Sequence, residues 1–262
     1  MSGTSRPIGF FDSGVGGISV LKTAFILMPF ENYIYFGDNA NAPYGEKSES
    51  EIKELSLAAG RFLFDKGVKA IVIACNTATS AAVNQMREEF NIPVISMEPA
   101  VRPALKEVRG GKVLVLATAA TVSQERYLKL LERLKAGDKV VSVGCSGLVE
   151  MIEDGKIGRK EIDAYFDKTL SHIKNIKIDA AVIGCTHYSF IHKEIKSYID
   201  RAFNTDCPMF DGKEGTSNHL HRVLEENDML RGRSEKGNVR FFTSGREEQL
   251  NKFNELFNNF NP

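Results

Sequence analysis

Two segments of this chain carry the residues best suited to chemistry. Lys69 to Ser80 reads KAIVIACNTATS and Ile178 to Ser189 reads IDAAVIGCTHYS, so each has an apolar run, a cysteine and a polar turn with threonine. Cys75 and Cys185 stand 110 residues apart in this echo. A lone cysteine is ordinarily a buried structural thiol, but chance rarely sets two of them on equivalent turns of an internal repeat. Each lies where an apolar strand should end and a helix begin. Backbone N–H groups and the helix dipole there favour the thiolate and lower its pKa from about 8.5. Two thiols on opposed halves suit stereoinversion, in which a base takes a proton from one face of a carbon and an acid returns one to the other. The roles exchange in reverse, and the enolate-like intermediate needs preorganised donors.

Other groups could assist. Asp12 to Gly17 reads DSGVGG, directly after an apolar run and ahead of a helical stretch. Its glycines allow close backbone approach, and N–H groups at the helix start form a nest for an anion such as a carboxylate. The segment is not GxGxxG and has no Walker lysine, which argues against a nucleotide. Asp12 itself could hold or receive a proton beside a thiol. His187, two residues after Cys185, is a candidate proton partner, and the turn-rich Asp38 to Gly45, DNANAPYG, offers the Tyr44 hydroxyl and the Gly45 N–H. His172, His192, His219 and His221 show no metal-ligand spacing with cysteine or carboxylate.

The elements that must position these groups are legible as short β-branched runs alternating with helical patterns. Strand candidates are IGFF, YIYFG, KAIVIAC, PVISM, KVLVLAT, KVVSVGC, DAAVIGC and VRFFTSG. Between them, SESEIKELSLAAGRFLFDKG, VSQERYLKLLERLKAG and KEIDAYFDKTLSHIKN place apolar residues at helical spacing, with Gly near the ends of the first two. Steady alternation of this kind predicts α/β architecture with mainly parallel sheets and ligands beyond the carboxyl ends of the strands. A weaker echo pairs IGFFDSGVGG with VLVLATAATVS at 113–123, which suggests two similar α/β halves. Three prolines between Pro93 and Pro103 and a further crossing near Cys207 and Pro208 divide the chain into a first domain, 1–97 plus 208–262, and a second, 98–207.

Composition narrows the class. With 262 residues the chain can fill two modest cores, and its 34 Lys+Arg balance 34 Asp+Glu, so no charge field marks it for nucleic acid. Neither a membrane-length apolar stretch nor a signal-peptide layout at MSGTSRPIGFF is present, which predicts a cytoplasmic protein without a membrane partner. The four cysteines, at 75, 145, 185 and 207, form no CxxC pair and read as reduced thiols.

Taken in order, DSGVGG (12–17), GDNANAPYG (37–45), ACNTATSA (74–81), VLATAATVSQERY (115–127) and GCTHY (184–188) span nearly the whole chain. In these motifs it resembles the bacterial glutamate racemases of the aspartate/glutamate racemase superfamily. The resemblance implies two pseudo-twofold related α/β domains with the active site between them, no pyridoxal phosphate or other cofactor, no metal, a homodimer, and D-glutamate supplied for peptidoglycan. It implies that Cys75 handles the proton of the D-enantiomer and Cys185 that of the L-enantiomer, with Asp12, His187, Asp38 and Glu153 assisting. Ser13, Tyr44, Gly45, Asn76, Thr77, Thr118, Thr121 and Thr186 match its substrate-contact positions.

Three segments depart from the family pattern. CSGLVEMIEDG (145–155) has Ser146 and Glu150 at customary proline sites, Ser189-Phe190 replaces Pro-Leu after GCTHY, and DGKEGTSNH follows 210 in place of a more acidic, threonine-bearing run. None touches the thiols. The residues alone leave other readings open. An aspartate racemase would differ by one substrate methylene, worth about 1–3 kcal/mol in a pocket. A cysteine hydrolase built on one thiol and His187 would leave the second cysteine unexplained, and a non-catalytic binding protein would tolerate loss of either thiol.

Overall fold

A computed structural model of the chain describes residues 3–232 and 235–262. Its strands are β1 (Ile8–Asp12), β2 (Tyr33–Gly37), β3 (Ala70–Ile73), β4 (Val94–Ser96), β5 (Lys112–Ala117), β6 (Val140–Gly144), β7 (Ile178–Ile183), β8 (Met209–Asp211) and β9 (Val239–Thr243). They form two sheets, ordered β4-β3-β1-β2-β9 and β6-β5-β7-β8, and every paired neighbour runs parallel. The chain forms two compact units, one comprising Met1–Glu98 with Lys213–Pro262 and the other Pro99–Gly212.

The second sheet repeats the connectivity of the first. In one, β1 pairs with β2 and β3, and β3 pairs with β4; in the other, β5 pairs with β6 and β7, and β7 pairs with β8. Strand β3 therefore corresponds to β7, and the turns carrying Cys75 and Cys185 leave equivalent strands. Likewise DSGVGG after β1 corresponds to TAATVS after β5. The central strands β1, β2 and β3 are buried along their whole length because helices cover both faces, whereas β8 and β9 lie at sheet edges and are at most partly covered.

Two features differ from expectation. The strand Met209–Asp211 was not foreseen in the sequence; it pairs with β7, so residues 208–212 stay with the second unit and the return crossing falls before Lys213. Three half-buried residues give too short a pattern to distinguish a strand from a loop. The helical stretches beginning at Val122 and Lys160 are each interrupted. Gln124 takes extended backbone between helices Ala119–Ser123 and Glu125–Arg133, and the helix Arg159–Thr169 gives way to a 3-10 turn at Ser171–Ile173.

Candidate active site

Both thiols, Asp12, Asp38, Thr118 and Thr186 lie at or just beyond the carboxyl end of a strand, the position where parallel sheets expose backbone and helix starts, whereas Glu153 ends the helix Leu148–Glu153. In the first unit these are Asp12 ending β1, Asp38 after β2 and Cys75 after β3. The apolar strand β3 delivers Cys75 to the N-cap of the helix Asn76–Glu89, where its Sγ accepts the Ala78 N–H at 3.4 Å. That bond and the helix dipole favour the thiolate, as expected for this cysteine. As a thiol, Cys75 also reaches Ser13 Oγ at 3.7 Å.

Asp12 is fully buried, and its Oδ1 accepts the Gly14 N–H at 2.9 Å, closing the DSGVGG turn. The turn requires glycine at 17, since a Cβ there would sit 2.6 Å from Asp12 Cβ and 2.9 Å from Ala74 Cβ. Asp38 is buried beside it. Its carboxylate accepts Tyr44 Oη at 2.6 Å, Ser244 Oγ at 2.5 Å, and Asn41 Nδ2 at 3.0 and 3.1 Å on its two oxygens. Burial, with Asp38 next and then Cys75 and Asp12, drives the Tyr44 hydroxyl far above its ordinary pKa. Tyr44 is therefore a neutral donor, and Asp12, Asp38 and Cys75 all lie near enough to act on it. Gly45 follows in the 3-10 turn Tyr44–Glu46.

Asn76 and Thr77 are buried in the turn after Cys75. Both polar atoms of the Asn76 side chain are enclosed and make no hydrogen bond to protein groups. A buried amide with an unused donor and acceptor requires a partner, and its place next to Cys75 suits a carboxylate or an ammonium group.

The second unit builds its thiol differently. A 3-10 turn, Thr186–Ile191, follows Cys185, and the regular helix starts only at His192, so Cys185 caps a 3-10 turn and its sulfur makes no capping bond there. A neighbouring imidazole replaces it. Buried His187 places Nε2 2.8 Å from Glu153 Oε1 and bonds to the Cys185 side chain. Burial alone would lower the histidine pKa; the bonds to Cys185 and Glu153 outweigh it and hold the pKa well above the usual value. His187 is thus held as an imidazolium between the Glu153 carboxylate and the Cys185 side chain. Glu153 reaches this position despite the altered 145–155 segment. Gly147, at φ 77°, supplies the left-handed N-cap of the helix Leu148–Glu153.

Thr118 and Thr121 occupy the turn after β5, with Thr118 Oγ1 capping the Thr121 N–H at 3.1 Å and the two hydroxyls 2.9 Å apart. Thr186 is buried beside Cys185. The other cysteines are of a different kind. Burial pushes the Cys145 thiol up to about 12 and the Cys207 thiol up to about 11. Ser244 was missed by sequence reasoning, although VRFFTSG repeats the signal of a strand followed by a hydroxyl-bearing turn.

A parallel α/β fold with a thiol and acidic partners at equivalent strand ends defines a class, and comparison with known proteins identifies it. Residues 24–214 match the Asp/Glu/Hydantoin racemase family model, and this chain belongs to that family. It is 44% identical over 250 residues, 95% of this chain and 96% of the relative, to a protein named glutamate racemase from Clostridium botulinum strain Okra. Among solved structures it is similar to glutamate racemase from Francisella tularensis in complex with D-glutamate, with 32% identity, a TM-score of 0.83, and coverage of 97% of this chain and 94% of that one. It is also similar to glutamate racemase isoform RacE1 from Bacillus anthracis, with 30% identity, a TM-score of 0.82, and the same coverage of 97% and 94%.

Proposed function

We propose that this chain is a glutamate racemase that inverts the α-carbon by two-thiol proton transfer. The observation that carries the reading is the equivalence of Cys75 after β3 and Cys185 after β7, the first beside buried Asp12 and Asp38 and the second beside the pair of His187 with half-buried Glu153. The names of the relatives above support glutamate as substrate.

In the D-to-L direction the Cys75 thiolate removes the α-proton and the Cys185 thiol delivers one to the opposite face. The reverse direction exchanges the roles. Charge that develops on the α-carboxylate is met by fixed donors, for which Ser13, Asn76, Thr77, Thr118, Thr121, Thr186, Tyr44 and the Gly45 N–H are the candidates. Asp12 and Asp38 serve the Cys75 side, and the His187–Glu153 pair serves Cys185. Neither pyridoxal phosphate nor a metal is required by this route, since the thiols supply both acid and base.

The product serves peptidoglycan synthesis, and the enzyme acts in the cytoplasm as a homodimer. No helix among the described residues is long and apolar enough to cross a membrane. Chiral chromatography of reactions with L-glutamate, D-glutamate and L-aspartate, in the presence of a chelator and without added cofactor, tests the reading. Equal enantiomers should form from either glutamate and not from aspartate. Turnover of aspartate with inert glutamate would overturn the substrate assignment.

A further inference from the structure

Ser244 lies beyond β9, in the segment that returns to the first unit, and is 206 residues from Asp38 in sequence. Strand β9 pairs with β2 so that Thr243 stands opposite Gly37, which brings the next residue against the start of the Asp38 loop. Ser244 N–H donates to Gly37 O at 3.2 Å, and Ser244 Oγ accepts the Ala40 N–H at 3.1 Å. With Ala40 as its donor, the hydroxyl directs its single hydrogen to Asp38 Oδ1, 2.5 Å away. Thr243 Oγ1 adds a bond to Asn39 Oδ1 at 3.2 Å.

Every contact on the Asp38 side chain is therefore a donor: Ser244, Asn41 and Tyr44. A protonated Asp38 would have to turn the Tyr44 or Ser244 hydroxyl away from it or give up a bond from Asn41. We infer that Ser244 is a positioning residue of the Cys75 half-site, locking Asp38 as a fixed carboxylate that orients Tyr44 beside Cys75 and does not itself carry the substrate proton. This rests on the two-thiol reading above. Ser244 is exposed whereas the carboxylate it serves is buried, so its replacement leaves the core intact.

The test compares wild type with Ser244→Ala and Ser244→Thr. Because the enantiomers have equal free energy, kcat/KM must fall equally in both directions, and for Ser244→Ala a loss of about tenfold is expected, as for a weakened charge-assisted bond. The discriminating readout is the primary isotope effect. With a slowed Cys75 step, Ser244→Ala should show a larger effect on α-deuterated D-glutamate and a smaller one on α-deuterated L-glutamate. Ser244→Thr retains the hydroxyl and should stay within about twofold of wild type.

A substrate-free readout runs alongside, in which Cys75 alkylation by iodoacetamide, mapped by peptide mass spectrometry, should become about threefold faster in Ser244→Ala as the Asp38 loop loosens, with Cys185 unchanged. If wild type turns over glutamate but Ser244→Ala matches it in isotope effects and Cys75 alkylation, the inference fails and the two-thiol reading stands. If wild type does not turn over glutamate, that reading fails, and alkylation alone decides whether Ser244 governs the Cys75 environment.

Discussion

His187 Nε2 lies 2.8 Å from Glu153 Oε1, so the imidazole beside Cys185 is paired with a carboxylate from the end of the helix Leu148–Glu153. This pairing helps to hold the His187 pKa above its ordinary value. Glu153→Gln keeps the shape and removes the charge. The His187 pKa should fall, as read by nitrogen-15 NMR of the ring, and kcat should drop by roughly tenfold to a hundredfold. The stability linkage has a definite sign. A raised histidine pKa stabilises the fold fully below about pH 6.5, and that contribution is lost as pH rises through the folded value. Urea midpoints measured across pH should show a smaller loss in Glu153→Gln.

Tyr44 donates to Asp38 Oδ2 at 2.6 Å from a buried position. Tyr44→Phe leaves that buried oxygen short of a donor, which costs about 1–3 kcal/mol. Chemical denaturation should show this loss with an unchanged m-value, and kcat/KM should fall as well. An unchanged kcat/KM would remove Tyr44 from the Cys75 half-site.

Much of this arrangement was legible because it is local. The runs ending at Cys75 and Cys185 each combine an apolar strand with a polar turn, and those turns leave corresponding strands in the two sheets. What was illegible depends on distant pairing. Ser244 reaches Asp38 only because β9 adds to the edge of β2, and β8 is recognisable only through its bonds to β7. The backbone after Cys185 departs from the expected helix start for a local reason. The 3-10 turn over Thr186–Ile191 leaves Cys185 without the side-chain capping bond that Cys75 has, while His187, two residues on, is the neighbour that the spacing suggested, paired with Glu153.

Cysteine reactivity should divide along the same line. Burial raises the Cys145 thiol to about 12 and the Cys207 thiol to about 11, so both remain protonated near pH 8. Iodoacetamide followed by peptide mapping should label Cys75 and Cys185 first. Preferential labelling of Cys145 or Cys207 would contradict the assigned environments.

A buried ion pair lies at the opposite end of β3 from Cys75. Lys69, buried at the entry to that strand, donates to Glu31 Oε2 at 2.6 Å, Thr4 O at 2.8 Å and Met229 O at 2.7 Å. Lys69→Met would strand the buried Glu31 carboxylate and should cost about 3–5 kcal/mol in denaturant titrations. The remaining folded fraction should retain its kcat, since this ion pair lies at the far end of β3 from Cys75.

The most direct test is proton NMR of the protein with L-glutamate, and separately D-glutamate, in deuterium oxide, beside Cys75→Ser and Cys185→Ser. Wild type should replace the α-proton with deuterium and form the opposite enantiomer, and each single mutant should fail to racemise. Racemisation at near wild-type rate by either mutant would contradict the two-thiol mechanism.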